Sequence, residues 1–194
     1  MTTNRLEAFS DGVLAIIITI MVLDLKVPFG DDVMSLKPYI PKFLNYLFSF
    51  IYVGIYWNNH HHLFQAIKKV NGGILWSNLH LLFWLSLLPV STGWMGENYD
   101  ATFPVAFYGF VLFMSGTAFA IIEKVAIKEE GSESIIAKST HRNIKEISSC
   151  LGYILGIVTS FFMTELAIVI YAIIALVWLI PDKRIEKIMD EGNE

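Results

Sequence analysis

Thiols and charges are what this chain has little of. One cysteine, Cys150, stands among 194 residues, which excludes a disulfide framework and any thiolate metal cluster. Cys150 lies in an apolar stretch, where a packed and inert thiol is expected. Charged residues make up only 16% of the chain, whereas soluble domains carry about a quarter. That deficit excludes a disordered chain, a basic nucleic-acid-binding domain and an ordinary soluble enzyme. The charges present, 14 basic against 18 acidic, are too nearly balanced to name a partner by electrostatics. What is abundant is apolar surface, with 55% hydrophobic residues and a mean hydropathy of +0.55. The composition is that of a polytopic membrane protein.

The missing charges are grouped. Lys42 and Lys68 enclose 25 residues without a charge, Lys69 and Glu97 enclose 27, and Asp100 and Glu123 enclose 22. Glu146 to Glu165 leaves 18 and Glu165 to Asp182 leaves 16. A helix rises ~1.5 Å per residue and the hydrocarbon core is ~30 Å thick, so about 20 residues span it. Runs of this length must be helical, because an open sheet edge in lipid leaves backbone groups unpaired. Ahead of them, Asp11 and Asp24 enclose only 12 apolar residues. With its flanks this first segment reaches membrane length, at the cost of placing Asp11 inside the helix. It reads as a sixth span that faces protein or water more than lipid. The expected fold is all-α, one six-helix unit over 1–194, with spans at about 6–27, 43–66, 74–95, 103–124, 144–163 and 165–181.

Lys and Arg set the orientation. Eleven of them (Arg5, Lys68, Lys69, Lys124, Lys128, Lys138, Arg142, Lys145, Lys183, Arg184 and Lys187) fall on one side, against Lys26, Lys37 and Lys42 on the other. Both termini are therefore expected to be cytoplasmic, in a multi-pass protein of the cell membrane. The charged first residues predict no cleavable signal peptide. Pro28, Gly30, Pro38 and Pro41 predict a turn-rich external connection over 24–42. The mixed charges of 123–146 predict helix extensions joined at Gly131-Ser132. Trp57, Trp76, Trp94 and Trp178 sit near span ends, where amphipathic rings favour the headgroup layer.

Polar groups inside a membrane are the default functional sites, because hydrocarbon makes them costly. Here they share one depth. The first span carries Arg5, Ser10 and Asp11 near its cytoplasmic end. The second ends on Asn58, Asn59, His60, His61 and His62, and the third begins with Ser77, Asn78 and His80. Arg, Asn and His can supply the donors that a buried Asp11 needs. The favoured reading is a hydrogen-bonded clamp between the first three helices; a proton relay or a metal site is the competing one. Consecutive helical residues point ~100° apart, so His60, His61 and His62 cannot all face one ion. Five histidines are too few for a multi-box di-iron membrane oxygenase. One of His60–His62 with His80 could hold a haem between two helices, which keeps a haem-binding electron carrier as an alternative. The expectation is otherwise no cofactor and no metal.

The first helix sorts into faces. At ~100° per residue, with Ile16 at 0°, Ile20 lies at about 40°, Leu23 at about 340° and Thr19 at about 300°, while Asp11 lies at about 220°. One stripe thus presents Ile16, Thr19, Ile20 and Leu23. Around a symmetry axis such a stripe makes stacked apolar rings that close a pore by dewetting. Ordinary helix packing shows the same spacing, and periodicity alone favours packing.

Arg5-x-x-x-Phe9-Ser10-Asp11 at the head of the first of six spans resembles the R-x-x-x-F-S-D signature of the transmembrane protein 175 family of potassium channels. Trp57, the histidine run and Asn78 are also similar to that family's pattern. A single six-helix unit looks like the prokaryotic branch. The resemblance implies a homotetrameric channel for potassium and other monovalent cations in a lipid bilayer, with the first helix lining the pore and no enzymatic activity. It implies a constriction at Ile16, Ile20 and Leu23, with Thr19 as the polar layer. It further implies that Arg5, Ser10 and Asp11 form an interhelical network, which His60 or His61 with Asn78 and His80 would complete. Animal relatives make proton conduction the alternative within transport. The sequence has neither a Thr-Val-Gly-Tyr-Gly filter nor an Arg-rich voltage-sensing helix, so selectivity would rest on the apolar constriction and Thr19.

Overall fold

The computed structural model describes residues 2–140 and 144–179, and within them every regular element is helical. α1 runs over Thr3–Leu23 and α2 over Ile40–Ala66, with a 3-10 helix at Val33–Tyr39 between them. α3 (Gly72–Ser86), α4 (Leu88–Glu97) and α5 (Thr102–Glu130) follow. α6 is one short turn region at Ile135–Thr140, and α7 (Ile144–Thr159) and α8 (Thr164–Leu179) close the described fold. His141, Arg142 and the basic tail counted above (Lys183, Arg184, Lys187) lie outside the described residues, as does the end of the last expected span.

Local chemistry explains the boundaries. Asn71 starts α3 by accepting the Ile74 N–H at 3.0 Å, satisfying one of the donors a helix start leaves open. The stretch of the expected span at 74–95 is built of two consecutive helices, with a break at Leu87, just ahead of Pro89. Pro89 offers no N–H to the Leu85 carbonyl four residues before it, which interrupts the helical ladder there. α5 runs on to Glu130 and stops at Gly131, whose φ of +93° is a conformation that side-chain-bearing residues avoid. The connection over 24–42 is less irregular than its prolines imply, because Asp32 caps the 3-10 turn through Ser35 N–H at 2.9 Å.

Among the described residues, three stretches are long and apolar enough to cross a membrane: Thr3–Leu23, Gly72–Glu97 and Thr102–Glu130. α2 has 27 residues, more than a bilayer requires, but it carries Asn58, Asn59 and three histidines at one end. α8 is apolar and shorter.

α5 is the central post, packed against α3, α4, α7 and α8, while α1 lies on α2, α3 and α4. The core between them is rich in tyrosine: Tyr52, Tyr108 and Tyr171 are fully buried. Their hydroxyls are paired. Tyr52 donates to the Tyr171 carbonyl at 2.7 Å, and Tyr108 shares a 2.9 Å bond with Ser49, which in turn accepts from Thr92 at 2.7 Å. Burial of such rings is favourable only when the hydroxyl finds a partner.

Candidate functional site

α1 buries Leu6, Ser10, Leu14, Ile17 and Met21 against its own subunit. The steps of four, four, three and four residues make one stripe. The opposite side is free of the subunit: Ile16 is 58% exposed, Ile20 49% and Leu23 81%, with Thr19 exposed between them. Thr19 turns its hydroxyl back to the Ile16 carbonyl at 2.8 Å, so its oxygen lone pairs face outward along that side.

Three levels of polar contact hold the first half of α1. Ser10 is at the centre. It donates to the Leu6 carbonyl at 3.0 Å and accepts from Asn78 Nδ2 of α3 at 2.9 Å. Asn78 Oδ1 accepts from His60 Nε2 of α2 at 2.9 Å. An amide oxygen only accepts, so His60 carries its proton on Nε2, and its ring lies flat on Phe64 at 4.1 Å. All three polar residues are buried. One turn to either side the contacts are more open. Trp57 Nε1 donates to Asp11 Oδ1 at 3.1 Å. His61 Nδ1 meets Glu7 while Gln65 Nε2 holds the other ring nitrogen at 2.8 Å.

Ser10, Asp11, His60, His61 and Asn78 are thus all engaged between α1, α2 and α3, though at three separate contacts. Arg5 and His80 do not join these three contacts within the subunit. Arg5 is exposed, and its one hydrogen bond outside the helical ladder among the described residues is from its backbone N–H to the Thr2 carbonyl at 3.2 Å. Five residues from Ser10 means ~140° of rotation, so its side chain leaves the helix on the stripe side. His80 stands two residues after Asn78, roughly 200° around α3, and accepts from Trp84 Nε1 at 2.9 Å on its own helix. That contact occupies His80 Nε2, and Asn78 occupies His60 Nε2, which leaves neither Nε2 free to ligate a haem iron.

Glu7 and Trp57 were missed as partners. Their signal was in the spacing, since Glu7 and Asp11 stand one turn apart on α1 and Trp57 and His61 one turn apart on α2. Two matched four-residue steps on facing helices pair without adjustment.

The far end of α1 has its own anchor. Lys42, with its side chain 11% exposed, reaches Asp24 at 3.3 Å and Glu97 at 3.1 Å. Lys26 adds a longer contact to Glu97 at 3.8 Å. Burial alone would lower the Lys42 pKa, but the two carboxylates outweigh it and raise it. The Lys42 hydrogen bond and charge, with Lys26 behind them, hold Glu97 below the usual carboxylate range. The outcome is a helix fixed at Glu7–Asp11 and again at Asp24, with a free apolar face between.

A potassium channel of Chryseobacterium sp. (strain P1-3) is 62% identical over 192 residues, covering 99% of this chain and all of that protein. The family model described as endosomal/lysosomal potassium channel TMEM175 matches residues 5–89, the stretch that holds most of α1 and its contacts through Glu7, Ser10 and Asp11. The chain belongs to the TMEM175 family. Its fold is shared as well. The crystal structure of a lysosomal potassium-selective channel TMEM175 homolog from Chamaesiphon minutus superposes with a TM-score of 0.80, over 93% of this chain and 97% of that one, at 26% identity. The human endosomal/lysosomal proton channel TMEM175 is 35% identical over 103 residues, 47% of this chain and 20% of that protein. In the TMEM175 family the Ser10, Asn78 and His60 contacts of this chain therefore lie inside the matched segment, and the α5–α8 half lies beyond it.

Proposed function

We propose that this chain is one subunit of a homotetrameric, potassium-permeable cation channel of the cell membrane, with six membrane-crossing segments and both termini in the cytoplasm. α1 stands at the central axis. Ile16, Ile20 and Leu23 close the pore as apolar rings, and Thr19 is the polar layer between them. The observation that carries this reading is the free face of α1: a helix clamped at both ends turns its apolar stripe away from its own subunit. Four copies of such a face enclose a path that water leaves readily, and an ion crosses it only when the rings part. Family membership and the potassium-channel relatives support the choice of ion. The split of α3 and α4 at Pro89 is compatible with one crossing of 26 residues.

The polar contacts act as the clamp and not as an ion path in this reading. Ser10, Asn78 and His60 are buried behind α1, on the side opposite Ile16. Asp11 and His61 belong to the same clamp.

Proteoliposome flux tests the gate. Ile16→Asn widens and wets the narrowest ring and raises potassium flux; unchanged potassium and sodium flux would remove Ile16 from the constriction. Reversal potentials under separate potassium and proton gradients decide between the two ions, and a potential that follows the proton gradient alone would overturn the potassium reading.

A further inference from the structure

A cavity of about 290 Å³ lies between α2, α5, α7 and α8, away from the free face of α1. Roughly ten water-sized volumes fit in it, at the lower end of the range for small-molecule sites. Its walls are aromatic: Tyr52, Tyr56 and Tyr153, with Phe113, Phe119 and Trp178. Gly116 of α5 keeps it open. A Cβ there would lie 3.6 Å from Tyr56 Oη and 3.8 Å from Tyr153 Cε2, so the missing side chain leaves room beside both rings. Ile147 and Cys150, on the α7 side, are exposed. Cys150 is thus neither packed nor filler, contrary to the sequence expectation.

Most polar groups of the wall are already engaged within the subunit. Tyr52 donates to the Tyr171 carbonyl at 2.7 Å, Trp178 Nε1 to Ser149 at 2.8 Å and Thr117 to the Phe113 carbonyl at 2.9 Å. Tyr56 differs. It is 8% exposed and lines the cavity, and its hydroxyl has no hydrogen-bond partner among the described residues. Buried hydroxyls are normally paired. Water is a poor partner here, because it needs roughly two to four polar contacts and Phe113, Phe119 and the Tyr153 ring offer none. One end of the cavity carries Lys124 and Glu146, and the lysine charge acts on that carboxylate. A charged ligand would gain at one of the two and lose at the other.

We propose that this cavity binds an uncharged aromatic alcohol of about ten non-hydrogen atoms, with its ring among the aromatic walls and its hydroxyl on Tyr56 Oη. Offset and edge-to-face contacts between rings add to the burial of apolar area. The ligand hydroxyl supplies the partner that Tyr56 lacks. A two-chain phospholipid exceeds the volume. The site does not depend on how the channel conducts.

Equilibrium binding of tritiated 2-naphthol to the purified full chain in zwitterionic nanodiscs tests this, with empty nanodiscs subtracted for partition into lipid. One saturable site per chain is expected. Tyr56→Phe weakens it about fivefold, the worth of one hydrogen bond, while competition by naphthalene is the same in parent and variant. That substitution removes a hydroxyl with no protein partner, so the melting temperature without probe stays at the parent's. Gly116→Leu abolishes the site by filling it. Absence of saturable binding overturns the proposal, as does binding that survives Gly116→Leu or is equal in Tyr56→Phe. Stronger competition by 2-naphthoate or 2-naphthylmethylamine than by unlabelled 2-naphthol makes the site one for a charge and overturns it. Stronger competition by 1-decanol removes the preference for a ring and overturns it too. Should Gly116→Leu fail to fold, the Tyr56→Phe comparison decides.

Discussion

Asn78 joins three helices with one side chain. Its amide donates to Ser10 of α1 and accepts from His60 of α2. Asn78→Leu keeps the volume, leaves the buried His60 imidazole without its partner and takes from Ser10 the donor to its oxygen, a loss of about 2–3 kcal/mol. The expected result is a lower melting temperature in detergent, with Ser10→Ala in the same background restoring part of it. At the other end of α1, Lys42 and Glu97 give a pH signature. Because Glu97 sits below its usual pKa when folded, its contribution is present above the ordinary carboxylate value and lost as pH falls through the lowered one. Lys42→Gln should therefore lower the melting temperature at pH 7, and the gap to the parent should narrow on acidification below about pH 4. A gap independent of pH would mean Lys42 acts through its alkyl stem alone. At this scale residue type and depth were readable, since Asn and His at the ends of two spans announced a polar layer. Which atoms meet was not, because contacts between residues 18 to 68 apart depend on the rotation of each helix.

At the level of elements, the α5–α7–α8 contact is built on missing side chains. Gly109 of α5 and Gly156 of α7 both face the ring of Tyr171 of α8, and a Cβ at either position would overlap it. Tyr171 is fully buried and enclosed from both sides, so its ring cannot swing away from one glycine without meeting the other. Gly109→Ala and Gly156→Ala should each cost about 1–3 kcal/mol by overpacking. Gly116→Ala on the same α5, where contacts are of ordinary length, should be neutral or slightly stabilising because it removes backbone freedom from the unfolded chain. Thermal unfolding of the three variants separates close packing from mere helix propensity; equal effects at all three positions would sink the packing account. Helix existence was legible in the charge gaps and the stop at Gly131 in the glycine itself. The break at Leu87 was overlooked because the 27-residue gap between Lys69 and Glu97 is uninterrupted in hydropathy, and Pro89 carries its effect through geometry.

For the whole molecule, the proposed channel sets the free stripe of α1 against other copies. Native mass measurement in detergent should give four chains of 22.0 kDa; a monomer would leave Ile16, Ile20 and Leu23 facing lipid and remove the central pore. Within the tetramer, Thr19→Cys on a Cys150→Ala background places a thiol ring at one height, and cadmium ions should then block potassium flux, with the Cys150→Ala parent insensitive. Block in neither protein would take Thr19 off the axis.

Composition alone decided that the chain belongs to a membrane, because a residue's partition between water and lipid is a property of the residue. The 100° period decided equally locally that Ile16, Thr19, Ile20 and Leu23 share a face. Only packing decided which face of α1 is inside. Leu14, Ile17 and Met21 are as apolar as the residues of the free stripe, so hydrophobicity cannot tell the two sides apart. The side that carries Ser10 was turned inward because Asn78, itself held by His60, donates to its hydroxyl there. Where lipid, pore and core are all hospitable to apolar groups, polar partners set the rotation of the helix, and they are brought together only by the tertiary fold.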